Sequence, residues 1–410
     1  MYPVITEPEI QSCVAQMDHN RECASFLYAF AAVTGILTKT DFLQNDPNIH
    51  EQLANLVTRS LECRNAMGLE TSTQPTLLRV LTSLFIQSCF MSLRKPSLGF
   101  YYLRDAVAMV QMLRIQSPDA LSSIPVSERA KHQRAYWQCF IHERFMALAE
   151  CQPPVLDPLP ELPDFDPSLP LSINEGWNLI IQTFLPVDKQ FIAFWIGDRS
   201  AMTLEWVETK HGQLSLDDSD WQLAISVLSE LQQADLIITR QWLRTLLWQM
   251  ALSNVLLSPD HLTLPLRLSN ALRRFLERLG RHAVGAHGSG ILYKLFEIAD
   301  SIADVVIHLP DASRDATLAR VDDILFLKDF VFGFDRIEDV HRKVLMGKFA
   351  LMREKYPEME EIRTLVGTPG GLAAEVPSEA LHGDEWSTGL AESEFTRSRV
   401  PSWVGFLQAL

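Results

Sequence analysis

The sequence has no Cys-x-x-Cys pair, no apolar run of membrane-spanning length, no glycine-rich phosphate loop and no excess of positive charge. Each absence excludes something. Cys13, Cys23, Cys63, Cys89, Cys139 and Cys151 are scattered, and a tetrahedral zinc site draws its ligands from closely spaced pairs, so reduced or buried thiols and no metal centre are expected. A disulfide framework belongs to short, cysteine-dense secreted chains. Met1-Tyr2-Pro3-Val4 offers no basic stretch followed by an apolar one, so no secretory signal and an intracellular location are expected. No run reaches the roughly 18 apolar residues of a membrane helix, which leaves no membrane partner to expect.

Positive charge is also short. Lys and Arg number 36 against 51 Asp and Glu, giving a formal net charge of -15, and an acidic surface repels phosphate. No direct nucleic-acid contact is therefore expected. The densest basic segments are Arg267 to Arg281, with Arg273, Arg274, Arg278 and Arg281, and Arg336 to Arg353. Leu, Phe and Glu interrupt both, so they read as solvated helix faces.

Catalytic spacings are missing as well. There is no Gly-x-Gly-x-x-Gly or Gly-x-x-x-x-Gly-Lys loop and no Gly-x-Ser-x-Gly elbow. Gly285, Gly288 and Gly290, around His287 and Ser289, read as a link between helices. His142-Glu143 is similar to the start of a zinc-protease helix, but Met146 stands where the second histidine belongs. His211, His261, His282, His308 and His341 share no ligating spacing with Asp or Glu. Asp217-Asp218 and Asp322-Asp323 are expected near helix starts, where carboxylates meet the positive end of the dipole. The sequence thus assigns no catalytic, cofactor-binding or metal-ligating residue and no cofactor, and predicts that the chain is not an enzyme.

What the chain does have is helical periodicity. Of its 410 residues 47% are hydrophobic, enough for a large core in one or two domains, and apolar positions recur at helical spacing without sustained alternation. The fold class is therefore all-α, with about ten helices. Ala24 to Leu37 and Asn48 to Met67, the latter closed by Gly68, are the first two clear ones. In Pro96 to Ile115, Phe100, Leu103, Val107 and Val110 form one stripe. Val126 to Glu150 follows, with Ser127 as its expected N-cap.

Seven prolines between Cys151 and Pro170 then forbid a helix and predict an extended connector over the surface. Helical patterning resumes from about Ile173 to Pro357, longest at Trp221 to Leu257 and broken near Pro259, Gly285 and Pro310. Beyond it, Thr368 to Arg399 reads as weakly ordered, and Glu375, Glu379, Asp384, Glu385, Glu392 and Glu394 interleave with apolar residues as in an acidic activation segment. The expected organisation is a first helical half at 1-150, a proline-rich connector at 151-172, a second helical half at 173-357 and an acidic, partly disordered tail at 358-410.

Three blocks carry a resemblance. The first is Tyr2-Pro3-Val4-Ile5 with Ala24-Ser25-Phe26-Leu27-Tyr28-Ala29-Phe30-Ala31-Ala32-Val33-Thr34. The second is Phe100 to Leu113 followed by Arg134-Ala135-Tyr136-Trp137-Gln138-Cys139-Phe140-Ile141-His142-Glu143-Arg144, similar to an Arg-x-x-Trp-x-x-Phe-x-x-Asp/Glu-Arg signature. The third is Thr239-Arg240-Gln241-Trp242-Leu243-Arg244-Thr245-Leu246-Leu247-Trp248-Gln249-Met250, joined by His287-Gly288 and Lys294-Leu295-Phe296-Glu297-Ile298-Ala299-Asp300. Together they resemble the fungal-specific transcription factor domain, or middle homology region, of six-cysteine zinc-cluster regulators. A Gly-Arg-Pro-like turn usually follows the signature; here Glu150-Cys151-Gln152-Pro153-Pro154 takes its place without the basic residue.

The resemblance implies a multi-helical regulatory domain in which Trp137, Phe140 and Ile141 bury one helix face while Arg134 and Glu143-Arg144 fix neighbouring helices. Family members usually begin with a zinc cluster, and this chain starts at the regulatory domain. It resembles accessory regulators of secondary-metabolite gene clusters. The expected function is a transcription regulator, a co-activator without its own DNA-binding domain, controlling a fungal metabolic or secondary-metabolite gene cluster. Its expected partner is a DNA-bound zinc-cluster transcription factor or the transcription machinery, with a small-molecule effector as a further partner class. The expected location is the nucleus, with room for a cytoplasmic pool. Alternative readings are a metabolite-sensing helical module and a truncated gene model of a full DNA-binding activator.

Overall fold

The computed structural model describes residues 4–38, 49–68, 74–117, 124–197, 199–215, 219–252, 264–308, 314–334 and 339–357. Among them are sixteen helices and no strand, so the fold is all-α as the hydrophobic spacing predicts. No single helix among the described residues is long and apolar enough to cross a membrane. The chain forms two compact units, Met1–Arg244 with Arg274–Leu295, and Thr245–Arg273 with Phe296–Leu410.

The first unit opens with α1 (Glu7–Gln16), α2 (Arg21–Thr38), α3 (Ile49–Asn65), α4 (Leu77–Ser92) and α5 (Pro96–Met112). A capping box starts α1: the Thr6 side chain meets the third helical residue while Glu9 accepts from the Thr6 amide at 2.8 Å. Small residues let α2 and α3 approach closely. The Ser25 hydroxyl donates to the Ser60 carbonyl at 2.8 Å and the Ser60 hydroxyl returns a bond to Ser25 at 2.7 Å. Around this crossing Ala29, Ala32, Val33, Ile36, Leu53, Val57, Ile86, Cys89 and Phe90 form one core. Gly99 brings α5 onto α4, where an added Cβ would lie 2.9 Å from the Met91 sulfur. The expected stripe is present: Leu103, Val107 and Val110 are buried and Phe100 is half-buried.

Next comes α6 (Val126–Glu150), with the limits its periodicity predicts. Ser127 is not its cap. The cap lies two residues earlier at Pro125, whose carbonyl accepts from the Arg129 amide at 2.9 Å, because proline already holds the extended backbone an N-cap needs. The short helices α7 (Leu171–Phe184), α8 (Lys189–Ile196), α9 (Leu204–Gln213) and α10 (Ser219–Ser226) follow.

The stretch from Trp221 onward is two helices, with α11 (Glu230–Leu252) beginning at Ser229, whose hydroxyl accepts from the Gln232 amide while Gln232 accepts from the Ser229 amide, both at 3.3 Å. Ser-x-x-Gln is a capping box, and it ends the continuity that apolar spacing alone suggests. Then come α12 (Leu264–Arg278), α13 (Arg281–Gly285), α14 (Ser289–His308), α15 (Arg314–Phe332) and α16 (Asp339–Lys355). The glycine cluster is a helix link, as expected: Gly285 closes α13 and Gly288 turns at φ 71° before α14.

In the second unit, Lys348 pairs with Asp300 at 2.6 Å and Asp304 at 2.5 Å, Gln249 donates to Ser301 at 2.6 Å, and the Tyr356 hydroxyl donates to the Val306 carbonyl at 3.0 Å. Asp322 and Asp323 do not cap a helix. They lie in the middle of α15, more than two turns past its first residue Arg314, and hold Arg273 of the facing helix at 2.6 and 3.0 Å, a cation bonded by two carboxylates. Pro259, Pro310, His261, Asp217-Asp218, residues 253–257 and the acidic segment Thr368 to Arg399 lie outside the described residues.

Candidate functional site

The signature residues of α6 converge on the proline-rich segment. The helix ends at Cys151, a non-glycine residue in the left-handed region at φ 53°, and Pro153 and Pro154 then keep the chain extended. Glu143, 3% exposed, accepts from the amides of Val155 at 3.0 Å and Leu156 at 2.8 Å, and from the Arg104 guanidinium at 2.6 Å. Arg144, 1% exposed, donates to the carbonyls of Leu156 at 2.7 Å and Val187 at 3.3 Å and lies 3.8 Å over the Phe140 ring. Arg104, from α5, also donates to the Pro153 carbonyl. An extended segment has no ladder for its backbone groups, and α6 supplies the partners instead.

The rest of the segment is held in the same way. The Tyr136 hydroxyl donates to the Asp157 carbonyl at 2.7 Å, and burial pushes its own pKa up to about 12. The Asp164 amide donates to Gln133 at 2.8 Å, and Arg129 pairs with the Asp164 carboxylate. Arg134 meets Asp166 at 2.8 Å, both buried. Burial raises the Asp166 pKa, but bonds from Ser168 and Arg134 outweigh it and hold the carboxyl down at about 2. Trp137 and Phe140, each 1% exposed and edge to face at 5.1 Å, fill the apolar side of the helix. The connector is extended and packed, burying Leu156 completely.

A second buried centre surrounds Lys294 on α14. Its ammonium donates to the Thr239 hydroxyl at 2.6 Å and lies 3.5 Å from the Asp235 carboxylate, both on α11. Three rings stand around it at 5.7 to 5.9 Å: Phe145 of α6, Phe184 of α7 and Trp242 of α11. Burial lowers the Lys294 pKa and Asp235 opposes the fall; burial likewise raises Asp235, but Lys294 and His287 pull it below its ordinary value. The two parts of the third sequence block meet here, a pairing that spacing along the chain cannot reveal.

His142, on the same side of α6, has Gln87 at 2.8 Å from one ring nitrogen and Gln138 at 2.7 Å from the other. Burial and then the Lys294 charge lower its pKa to about 4, so it is neutral near pH 7. His287 donates to the Leu231 carbonyl at 2.8 Å. Among the described residues no three His, Cys, Asp or Glu side chains are placed to hold a metal, and Cys13, Cys23, Cys89 and Cys139 are buried. In the basic segments, Arg273 is taken by Asp322 and Asp323, Lys348 by Asp300 and Asp304, and Arg274, Arg278 and Arg281 are exposed. A cleft between α2, α3 and α4, lined by Glu22, Ser25, Arg64, Met67, Arg79 and Thr82, measures about 10 Å³, room for one water.

No family model and no solved structure matches the chain. Curated relatives do match. A probable sucrose utilization protein of Candida albicans is 24% identical over 337 residues, 79% of this chain and 65% of that protein. A maltose fermentation regulatory protein of Saccharomyces cerevisiae is 20% identical over 75% of this chain and 65% of its own length. A respiratory transcription factor of the same yeast is 20% identical over 56% of this chain and 50% of its own length. The chain thus spans less than two thirds of the length of the relatives it matches. Sequence similarity across three quarters of the chain, on an all-α scaffold, relates this protein to fungal regulators of transcription.

Proposed function

We propose that these residues form the regulatory module of a fungal transcription regulator, which acts in the nucleus and reaches promoters through a DNA-bound zinc-cluster factor. The observation that carries the reading is the similarity to regulatory proteins over about three quarters of the chain, in residues that offer no paired-cysteine cluster and a net charge of -15. A chain with that field gains little from phosphate contacts and needs another surface to bring it to DNA. The relatives' names point to control of carbon-source or other metabolic genes, and a secondary-metabolite gene cluster is the finer target. The clamp and the Lys294 centre join elements of this scaffold to one another.

The test has two arms. The purified chain is expected to leave promoter duplexes unshifted at about 0.15 M salt, where screening leaves only local charge effective. Chromatin immunoprecipitation of the tagged protein is expected to show promoter occupancy that vanishes when the zinc-cluster partner is deleted. Selective duplex binding by the chain alone would overturn the recruitment; absence from the nucleus and from every promoter would overturn the regulatory reading itself.

A further inference from the structure

We propose that α5 is a docking surface for an acidic amphipathic helix of another protein. The inference stands on the surface of α5 and not on the reading above. One face of α5 is buried through Gly99, Leu103, Ala106, Val107 and Val110. The other carries Leu98, Tyr101 and Met112, which are 43%, 64% and 55% exposed. With Asp105 and exposed Ala108 between them, these positions fall at i, i+3, i+7, i+10 and i+14, the seam by which a helix packs along another helix. At 1.5 Å per residue the seam is about 21 Å long, or nearly four turns.

The seam is preorganised. Tyr101 lies edge-on to Tyr102 at 5.1 Å, and Tyr102 stacks on Phe90 at 5.5 Å, which fixes the exposed ring. Asp105, the one acid on the seam, is already bound by both oxygens to Arg64, at 2.7 and 2.8 Å, and accepts from Ser83 at 2.5 Å. It therefore presents little free charge to a partner.

Charge selects the occupant. The charge at the ends of the seam comes from Arg94, Lys95 and Arg114, since Arg104 is held by Glu143 as Asp105 is by Arg64, and this stretch carries no other acid within a protein of net charge -15. Arg94 and Lys95 are exposed just before the first turn of α5, whose free amides add positive potential; Arg114 is exposed just past its last. A second copy of this chain would bring the same cations against these in either orientation. Nucleic acid would gain nothing from the exposed Leu98 and Met112. A helix with leucine or phenylalanine on one stripe and glutamates beside it satisfies both the apolar seam and its basic ends.

The test is fluorescence anisotropy with two labelled peptides of about 18 residues, long enough to span the seam. They share leucine and phenylalanine at the heptad core positions and differ only in having glutamate or lysine beside them. The full chain is expected to bind the glutamate peptide at least roughly tenfold more tightly than the lysine peptide, and less tightly as salt rises. Tyr101→Asp with Met112→Asp, both exposed, is expected to abolish binding with circular dichroism and urea midpoint unchanged. Arg94→Glu with Lys95→Glu and Arg114→Glu is expected to reverse the peptide preference. Equal binding of both peptides, binding that survives Tyr101→Asp with Met112→Asp, or a self-associated dimer that those changes dissociate would each overturn the proposal.

Discussion

Two buried charged centres of the first unit show different uses of charge. In the α6 clamp, Glu143 and Arg144 are bonded to backbone groups, two amides and one carbonyl of the connector and the Val187 carbonyl between α7 and α8. Around Lys294 the charged groups are bonded to other side chains, Asp235 and Thr239. The difference decides what could replace them. Side-chain partners can be exchanged together for apolar groups of similar volume, often with little loss. Backbone groups stay polar whatever the sequence, so removing their partners strands them in a dry environment.

The largest effect should test that contrast. Glu143→Leu with Arg144→Leu is expected to destabilise the protein by about 4 kcal/mol or more in urea unfolding, since the Val155 and Leu156 amides lose their acceptor. Restored stability in this apolar double variant would break the comparison. Lys294→Met alone is expected to cost about 3 kcal/mol by leaving the Asp235 charge unpaired. Adding Asp235→Leu and Thr239→Val should bring stability back to within about 1.5 kcal/mol of the unmodified chain. If the triple variant stays as unstable as the single one, Lys294 is not held by exchangeable partners.

A smaller effect ties the two centres together. The folded chain resists protonating His142 until about pH 4, whereas the unfolded chain protonates it near 6.5, so stability should fall as pH drops through that window and be unaffected above it. His142→Gln should flatten this part of the urea-midpoint profile. Lys294→Met, by removing a neighbouring positive charge, should narrow the window from its acid end. The smallest change, Thr6→Ala at the start of α1, should cost about 1 kcal/mol, the ordinary value of a lost cap, and it sets the scale for the others.

The sequence made some of this readable for physical reasons. Long periodic segments name themselves: α6 has the limits Val126 and Glu150 that its pattern predicts, and the α5 stripe points inward. Short helices do not. The reading of about ten helices misses pieces such as α8, α10 and α13, which span too few turns to establish a period. Ser127 and Asp322-Asp323 are misjudged because capping is inferred from residue type, while Pro125 and the distant Arg273 decide those positions. The signature of α6 is visible as Arg134, Trp137, Phe140, Glu143 and Arg144, but its partners are backbone atoms, which carry no sequence signal. The Lys294 centre goes unseen because Thr239 and Lys294 are 55 positions apart.

The clamp also limits how this protein can change over time. Glu143, Arg144 and Tyr136 grip main-chain atoms at Val155, Leu156 and Asp157, so the exposed side chains of Val155 and Asp157 are interchangeable, whereas buried Leu156 is not. Nor is the spacing of the stretch. Inserting or deleting one residue between Cys151 and Val155 would slide every one of these grips onto the wrong atom at once, and homologues should therefore vary there by substitution at constant length.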